Sequence, residues 1–262
     1  MSRAVTHVVG ARPNFIKAAP LVRALDQLGV DQHIVHTGQH YDDALSGVFF
    51  RELGLPAPDV NLGVGSGSQA SQTAAMLVGI EAELLLHPPP LVLLYGDVNS
   101  TLAGALVAAK LQIPVGHVEA GLRSFDRSMP EEINRVVVDS LSDLLFTTSP
   151  EADGHLVREG VDPTRIHFVG NPMIDTLVHL RERLDPRPLR TRLMLAGEYG
   201  VVTIHRPANV DDAAAARRVA EALEAASRLL PLVVPLHPRG HAALIAGGLG
   251  SSTFVQVIDP LG

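Results

Sequence analysis

The chain has 262 residues, 46% hydrophobic and 19% charged, with a formal net charge of −7 at pH 7. That balance suits a globular protein with one large domain or two smaller ones, and it excludes the basic excess of a nucleic-acid footprint. With no cysteine there are no disulfides or thiolate metal sites, and 4% aromatic content without tryptophan disfavours a stacking platform for bases or flat carbohydrate.

The elements alternate. Ala4–Val9 reads as a strand, Ile16–Leu28 as a helix with apolar residues at 16, 19, 21, 25 and 28, and His33–His36 as a second strand. Asp42–Leu53 is helical, Gly63–Ser68 a loop, and Ala70–Leu86 a longer helix stopped by Pro88-Pro89-Pro90. The strand Leu91–Tyr95 leads to a helix Thr101–Leu111 that Asn99 or Ser100 can cap. Val115–Val118 is a strand, and Pro130 opens a helix through Leu141. Leu144–Thr147 and Ile166–Val169 are the last strands of this half. Such alternation predicts a parallel, doubly wound α/β sheet with right-handed crossovers.

Gly170-Asn171-Pro172 marks a break, so the expected domains are 1–171 and 172–262. After a helix Met173–Leu184 and a charged connector Asp185–Arg192, the rhythm restarts: strand Gly200–Ile204, helix Asp212–Leu229, strand Leu232–Leu236, short helix Ala242–Ile245, strand Phe254–Ile258. A second Rossmann-like domain normally has more strands, so this one is expected to be incomplete. No apolar run approaches the roughly 18 residues of a membrane span. Residues 1–30 lack a signal-peptide layout, which makes the cytoplasm the expected location.

Chemistry concentrates where strands end. Gly10-Ala11-Arg12-Pro13-Asn14-Phe15-Ile16-Lys17 follows the first strand and places Arg12 and Lys17 at a helix amino terminus, where dipole and side chains can hold a phosphate. It lacks the three-glycine fingerprint of a dinucleotide site. The apolar runs before Asp97 and Glu119 each stop at an acid, which directs both carboxylates into the crevice beyond the strand ends. Asp97 can alternatively cap the following helix; Glu119 precedes Ala120-Gly121 and has no helix to cap. Glu131 and Arg135 open a helix four apart and can form a simple surface pair, but the preceding charged loop Arg123–Arg127 is expected to hang over the same crevice. In the second half, His205-Arg206-Pro207-Ala208-Asn209 repeats the geometry of the first turn, and His237-Pro238-Arg239 ends the next strand similarly. No spacing matches a zinc or two-metal pattern, and no serine nucleophile elbow stands between a strand and a helix.

Taken together, these segments resemble the UDP-N-acetylglucosamine 2-epimerase family. The matching pieces run in order over nearly the whole chain: Gly10-Ala11-Arg12-Pro13 with Lys17, Thr37-Gly38-Gln39-His40, Gly96-Asp97, the run His117 to Arg123, Pro130-Glu131-Glu132-Ile133-Asn134-Arg135, Gly170-Asn171-Pro172, and Thr203-Ile204-His205-Arg206 with Asn209-Val210. The loop Ser124–Met129 and the Pro-Glu-Glu-Ile-Asn-Arg run resemble the non-hydrolysing branch. The resemblance implies two Rossmann-like domains of GT-B type. It implies interconversion of UDP-GlcNAc and UDP-ManNAc through UDP elimination and a 2-acetamidoglucal, with no redox cofactor, no required metal, and a homodimer. Arg12, Lys17 and His205 match the family's nucleotide and phosphate contacts, and Asp97, Glu119 and Glu131 its carboxylates near the sugar. Arg135, Arg206 and Asn209 fall in the same matching motifs as further substrate-binding candidates, and Arg135 can orient Glu131.

Two departures bear on activity. The family's Ser-Gly-Gly segment for UDP does not occur before Gly262, so the expectation is a truncated chain with little or no activity by itself. Gln39-His40 is followed by Tyr41-Asp42-Asp43, unlike the family's regulatory pattern, so activation by UDP-GlcNAc is not expected. Rival readings are a GT-B glycosyltransferase, a hydrolysing epimerase that releases ManNAc, and an inactive nucleotide-sugar-binding module. An NAD-dependent oxidoreductase is disfavoured by the missing glycine fingerprint.

Overall fold

The computed structural model describes residues 4–38, 47–204, 207–236 and 238–259. The chain divides into two compact units, Met1–Arg183 and Leu184–Gly262.

In the first unit β1 (Val5–Val9), β2 (Gln32–His36), β3 (Val60–Asn61), β4 (Val92–Tyr95), β5 (Val115–Ala120), β6 (Leu144–Thr147) and β7 (Ile166–Phe168) form one parallel sheet in the order β3-β2-β1-β4-β5-β6-β7. The crossovers carry α1 (Arg12–Gln27), α2 (Gly47–Leu53), α3 (Gln69–Leu86), α4 (Asn99–Lys110), α5 (Pro130–Leu141) and α6 (Pro150–Arg158), and α7 (Pro172–Arg181) follows β7. Helices on both faces explain why the central strands read as continuous apolar runs. Val8 and Leu94 pack with Met76, Ile80 and Leu84 of α3. Their chain neighbours Val9 and Tyr95 pack on the opposite face with Phe15, Ala18 and Val22 of α1.

The boundary expected after residue 171 lies instead between Arg183 and Leu184. Helix α7 belongs to the first unit because it lies against α1, with Thr176 Oγ1 donating to Ile16 O at 2.7 Å. The connector expected at 185–192 contains a short helix, α8 (Arg187–Arg192). Neither Asn99 nor Ser100 caps α4: the cap position is Val98, and Asn99 already belongs to the helix. The two-residue β3 and helix α6 were not anticipated; α6 starts at Pro150 behind a serine cap, with Ser149 Oγ accepting from Ala152 N.

The second unit holds a parallel three-stranded sheet, β8 (Gly200–Val201), β9 (Leu232–Pro235) and β10 (Val255–Ile258), in the order β10-β9-β8. Around it lie α9 (Pro207–Val210), α10 (Ala213–Ala226) and α11 (Pro238–Ala246). Asp212 caps α10, accepting from Ala215 N at 2.7 Å. Ala216, Ala220, Leu232, Val234 and Leu244 form its core.

Candidate functional site

Strand order in the first sheet reverses between β1 and β4, so the carboxyl ends of β1, β4 and β5 border the crevice where open α/β sheets bind ligands. Backbone irregularities sit there. Gly96, just past β4, has φ 65°, and Glu119 has φ 72° where the β5–β6 register shifts between Val118 and Ala120. A bulge re-aims one side chain. A non-glycine residue at positive φ costs about 1–3 kcal/mol and persists only where its surroundings hold it.

Two cations hold Glu119. Lys17 Nζ lies 2.7 Å from Glu119 Oε1, and Arg135 NH2 lies 2.8 Å from the same oxygen. Arg135 NH2 is also 2.8 Å from Asp97 Oδ2. Thus Asp97 pairs with Arg135 and does not cap α4. Lys17 and Glu119 are buried, whereas the Asp97 side chain remains 24% exposed. Anions and cations alternate at hydrogen-bond distance, as burial of charge requires.

Helix α1 delivers Lys17 through Asn14, one turn earlier on the same face. Asn14 Oδ1 accepts from Gly10 N and Ala11 N, and its Nδ2 donates to Tyr95 O at 2.7 Å. That ties the start of α1 to the end of β4. Lys17 then passes so close to Gly96 that a Cβ there would lie 2.7 Å from Nζ. Helix α5 delivers Arg135 in the same manner. Asn134 Nδ2 donates to Asp97 O at 2.8 Å and to Asn99 Oδ1 at 3.2 Å. Asn99, expected as a cap, instead donates to Gln69 and Gln72 of α3.

Glu131 is exposed in the first turn of α5; the acids that Arg135 reaches are Asp97 and Glu119. Its neighbour Glu132 is buried and holds the loop above, accepting from Ser124 N, Ser124 Oγ and Phe125 N. Burial alone would raise the Glu132 carboxyl, but the Ser124 and Phe125 donors and the Arg123 charge outweigh it and hold it below the usual range.

A second buried network, missed in the sequence, runs behind the first. His117 Nδ1 lies 2.7 Å from Asp139 Oδ1, and Nε2 lies 2.8 Å from Gly96 O. Asp139 Oδ2 accepts from Gly121 N at 3.0 Å and Arg123 NH1 at 2.7 Å. Arg123 in turn forks onto Glu159 with its Nε and NH2. Burial pushes the Asp139 carboxyl up, yet His117 and Arg123 prevail and lower it. The signal available beforehand was an Asp one turn after Arg135, directly behind the apolar run Val136-Val137-Val138.

Arg12 is the first residue of α1 and is exposed at the same strand end. Asn209 is half-buried in α9 of the second unit. His205, Arg206 and His237 lie outside the described residues, as do Gln39 through Asp43. Among the described residues no group of three His, Asp or Glu is placed to hold a metal ion, and no helix is long and apolar enough to cross a membrane.

The family model described as UDP-N-acetylglucosamine 2-epimerase matches residues 23–262. A protein of Methanocaldococcus jannaschii named UDP-N-acetylglucosamine 2-epimerase is 40% identical over 97% of this chain and 72% of its own length. A Pseudomonas aeruginosa protein named UDP-2,3-diacetamido-2,3-dideoxy-D-glucuronate 2-epimerase is 42% identical over the same shares, 97% and 72%. The crystal structure of the M. jannaschii UDP-GlcNAc 2-epimerase in complex with UDP-GlcNAc and UDP superposes with a TM-score of 0.87 at 39% identity, covering 99% of this chain and 74% of that one. The Neisseria meningitidis UDP-GlcNAc 2-epimerase bound to UDP-GlcNAc gives 0.87 at 25% identity, covering 98% and 72%. The fold class of this chain is that of these GT-B epimerases.

Proposed function

This chain belongs to the UDP-N-acetylglucosamine 2-epimerase family, and from that premise we propose that it is an isomerase that interconverts UDP-GlcNAc and UDP-ManNAc. The observation that carries the proposal is the pair Asp97 and Glu119, joined on one nitrogen of Arg135 beside the buried Lys17. The proton on sugar C2 is weakly acidic, so its removal needs a positioned carboxylate. Asp97 is the more open of the two and takes the C2 proton. As that proton leaves, the C1–O bond to UDP breaks, its electrons pass to the diphosphate, and C1 and C2 become doubly bonded. Lys17 and Arg12 stabilise the departing charge, and His205, Arg206 and Asn209 are further substrate-binding residues in this reading. Glu131, exposed in the first turn of the helix that carries Arg135, passes a solvent proton to the other face of C2, the diphosphate oxygen re-forms its bond to C1, and Asp97 gives its proton up to solvent. The diphosphate oxygen, not water, adds back to C1 in this reading, so the reaction is non-hydrolysing. The protein works as a cytoplasmic homodimer; sedimentation equilibrium checks the dimer.

The test is proton NMR of UDP-GlcNAc incubated with the protein in D2O. Deuterium accumulates at C2 even under slow turnover, and the expected products are labelled UDP-GlcNAc and UDP-ManNAc. Free ManNAc with UDP would instead establish the hydrolysing reaction, and no exchange at C2 would overturn epimerisation by this chain in favour of an inactive nucleotide-sugar-binding module. A second reading concerns substrate alone. The relative named for a UDP-2,3-diacetamido uronate matches as well as those named for UDP-GlcNAc, and running that sugar in parallel decides by the ratio of kcat/KM.

A further inference from the structure

We propose that His117 is held as an imidazolium, and that together with Asp139 it is the positioning device for the two turns that carry Asp97 and Glu119. The catalytic consequence rests on the epimerase reading; the charge state does not.

Both contacts of the His117 ring are to groups that can only accept. Nδ1 faces the Asp139 carboxylate at 2.7 Å and Nε2 faces the Gly96 carbonyl at 2.8 Å. A neutral imidazole carries one N–H. It would leave the other nitrogen lone pair against an oxygen, inside a site where the ring is 0% and Asp139 1% exposed. A buried pair of facing acceptors is destabilising, and a second ring proton removes it. The charges then alternate along the network: imidazolium 117, carboxylate 139, guanidinium 123, carboxylate 159. Each buried ion has an opposite neighbour, which is the condition for keeping it charged.

The network holds the two turns. The Gly96 peptide is gripped from β5 on both sides: its N–H donates to Val118 O at 2.9 Å and its carbonyl accepts from His117. The next residue is Asp97. Asp139 Oδ2 accepts from the N–H of Gly121, two residues past Glu119. A single buried carboxylate therefore sets the backbone after β5 directly and the backbone after β4 through the ring. Neither residue reaches the crevice carboxylates by its own contacts, so both act through the backbone.

The experiment has two arms. Long-range proton–nitrogen NMR of the labelled protein at pH 8 reads directly which ring nitrogens carry a proton. Both His117 nitrogens are expected to carry protons, and a neutral-tautomer pattern overturns the proposal. In the second arm, His117→Gln keeps a donor for Gly96 O, while His117→Asn reaches Asp139 alone. The Asn variant is expected to lose kcat on the order of 100-fold with KM little changed, and the Gln variant on the order of 10-fold. Equal losses in both, or a loss confined to KM, overturn the positioning role. If either variant fails to fold, the ring spectrum of the unaltered protein still decides the charge state. An imidazolium in a protein without C2 exchange sinks the epimerase reading alone; a neutral ring in an active protein sinks this inference alone.

Discussion

Lys17 Nζ and Glu119 Oε1 stand 2.7 Å apart although 102 positions separate them in the chain. Lys17 comes from the first turns of α1 and Glu119 from a bulge at the end of β5, with β4 between them in the sheet. The pair is buried, so its two members protect each other from an uncompensated charge.

Removing the carboxylate alone should expose that dependence. Glu119→Gln leaves Lys17 buried without its anion, and the expected loss of stability is about 3 kcal/mol. Lys17→Met leaves Glu119 its Arg135 contact and should cost less. In urea unfolding the double variant is expected to lose less than the sum of the two single losses, because the sites share one interaction. Strict additivity would refute the coupling.

Arg135 bridges Asp97 and Glu119 through one nitrogen of a planar fork. Arg135→Lys keeps the charge but loses that shape. The expected result is a fall in kcat on the order of 10–100-fold with a melting temperature within a few degrees. Steady-state kinetics that match the parent enzyme would show that the bridge does not position the carboxylates.

Adjacent acids on α5 should separate cleanly. Glu132 holds Ser124 and Phe125 in the loop, so Glu132→Gln should lower stability by about 1–3 kcal/mol. Glu131 is exposed, so Glu131→Gln should change stability by no more than about 0.5 kcal/mol while lowering kcat. Thermal melts paired with turnover measurements distinguish them, and the opposite assignment would reverse the pattern.

His7 gives the fold an acid sensitivity. The ring is fully buried on β1, with Nδ1 2.6 Å from Tyr95 Oη. Burial lowers its pKa from 6.5 to about 4, opposed in part by the Gln32 side chain. Between those values the unfolded chain binds a proton that the folded chain refuses. The His7 contribution to stability is therefore full above pH 6.5 and declines as the pH falls toward 4, by up to about 3 kcal/mol. The lowered carboxyls of Glu132 and Asp139 act with the same sign at lower pH, as they become protonated. In urea titrations from pH 7 to 4, His7→Leu should flatten the slope; an unchanged slope rules out His7 as its source.

Much of the architecture was legible because apolar period and punctuation are local. The runs before Asp97 and Glu119 end at acids, and Pro88-Pro89-Pro90 and Pro130 mark where helices stop and start. The misreadings share one cause. Asn99 and Asp97 are good capping residues on local grounds, but Asn134 and Arg135 from α5 engage them across the crevice. The domain boundary shifted for a similar reason: Gly170-Asn171-Pro172 is a real turn, but α7 beyond it remains bound to α1.

The sequence by itself determined the strand-and-helix alternation, the acids at the strand ends and the family. Only the tertiary structure decided that Glu119 occupies a bulge at positive φ, that Arg135 serves Asp97 and Glu119 together, and that His117 and Asp139 brace the turns from behind. Those facts depend on the parallel register, with Tyr95 opposite Val118 and a shift before Ala120. Register is a property of strands brought together by long crossovers, and no local window of residues contains it.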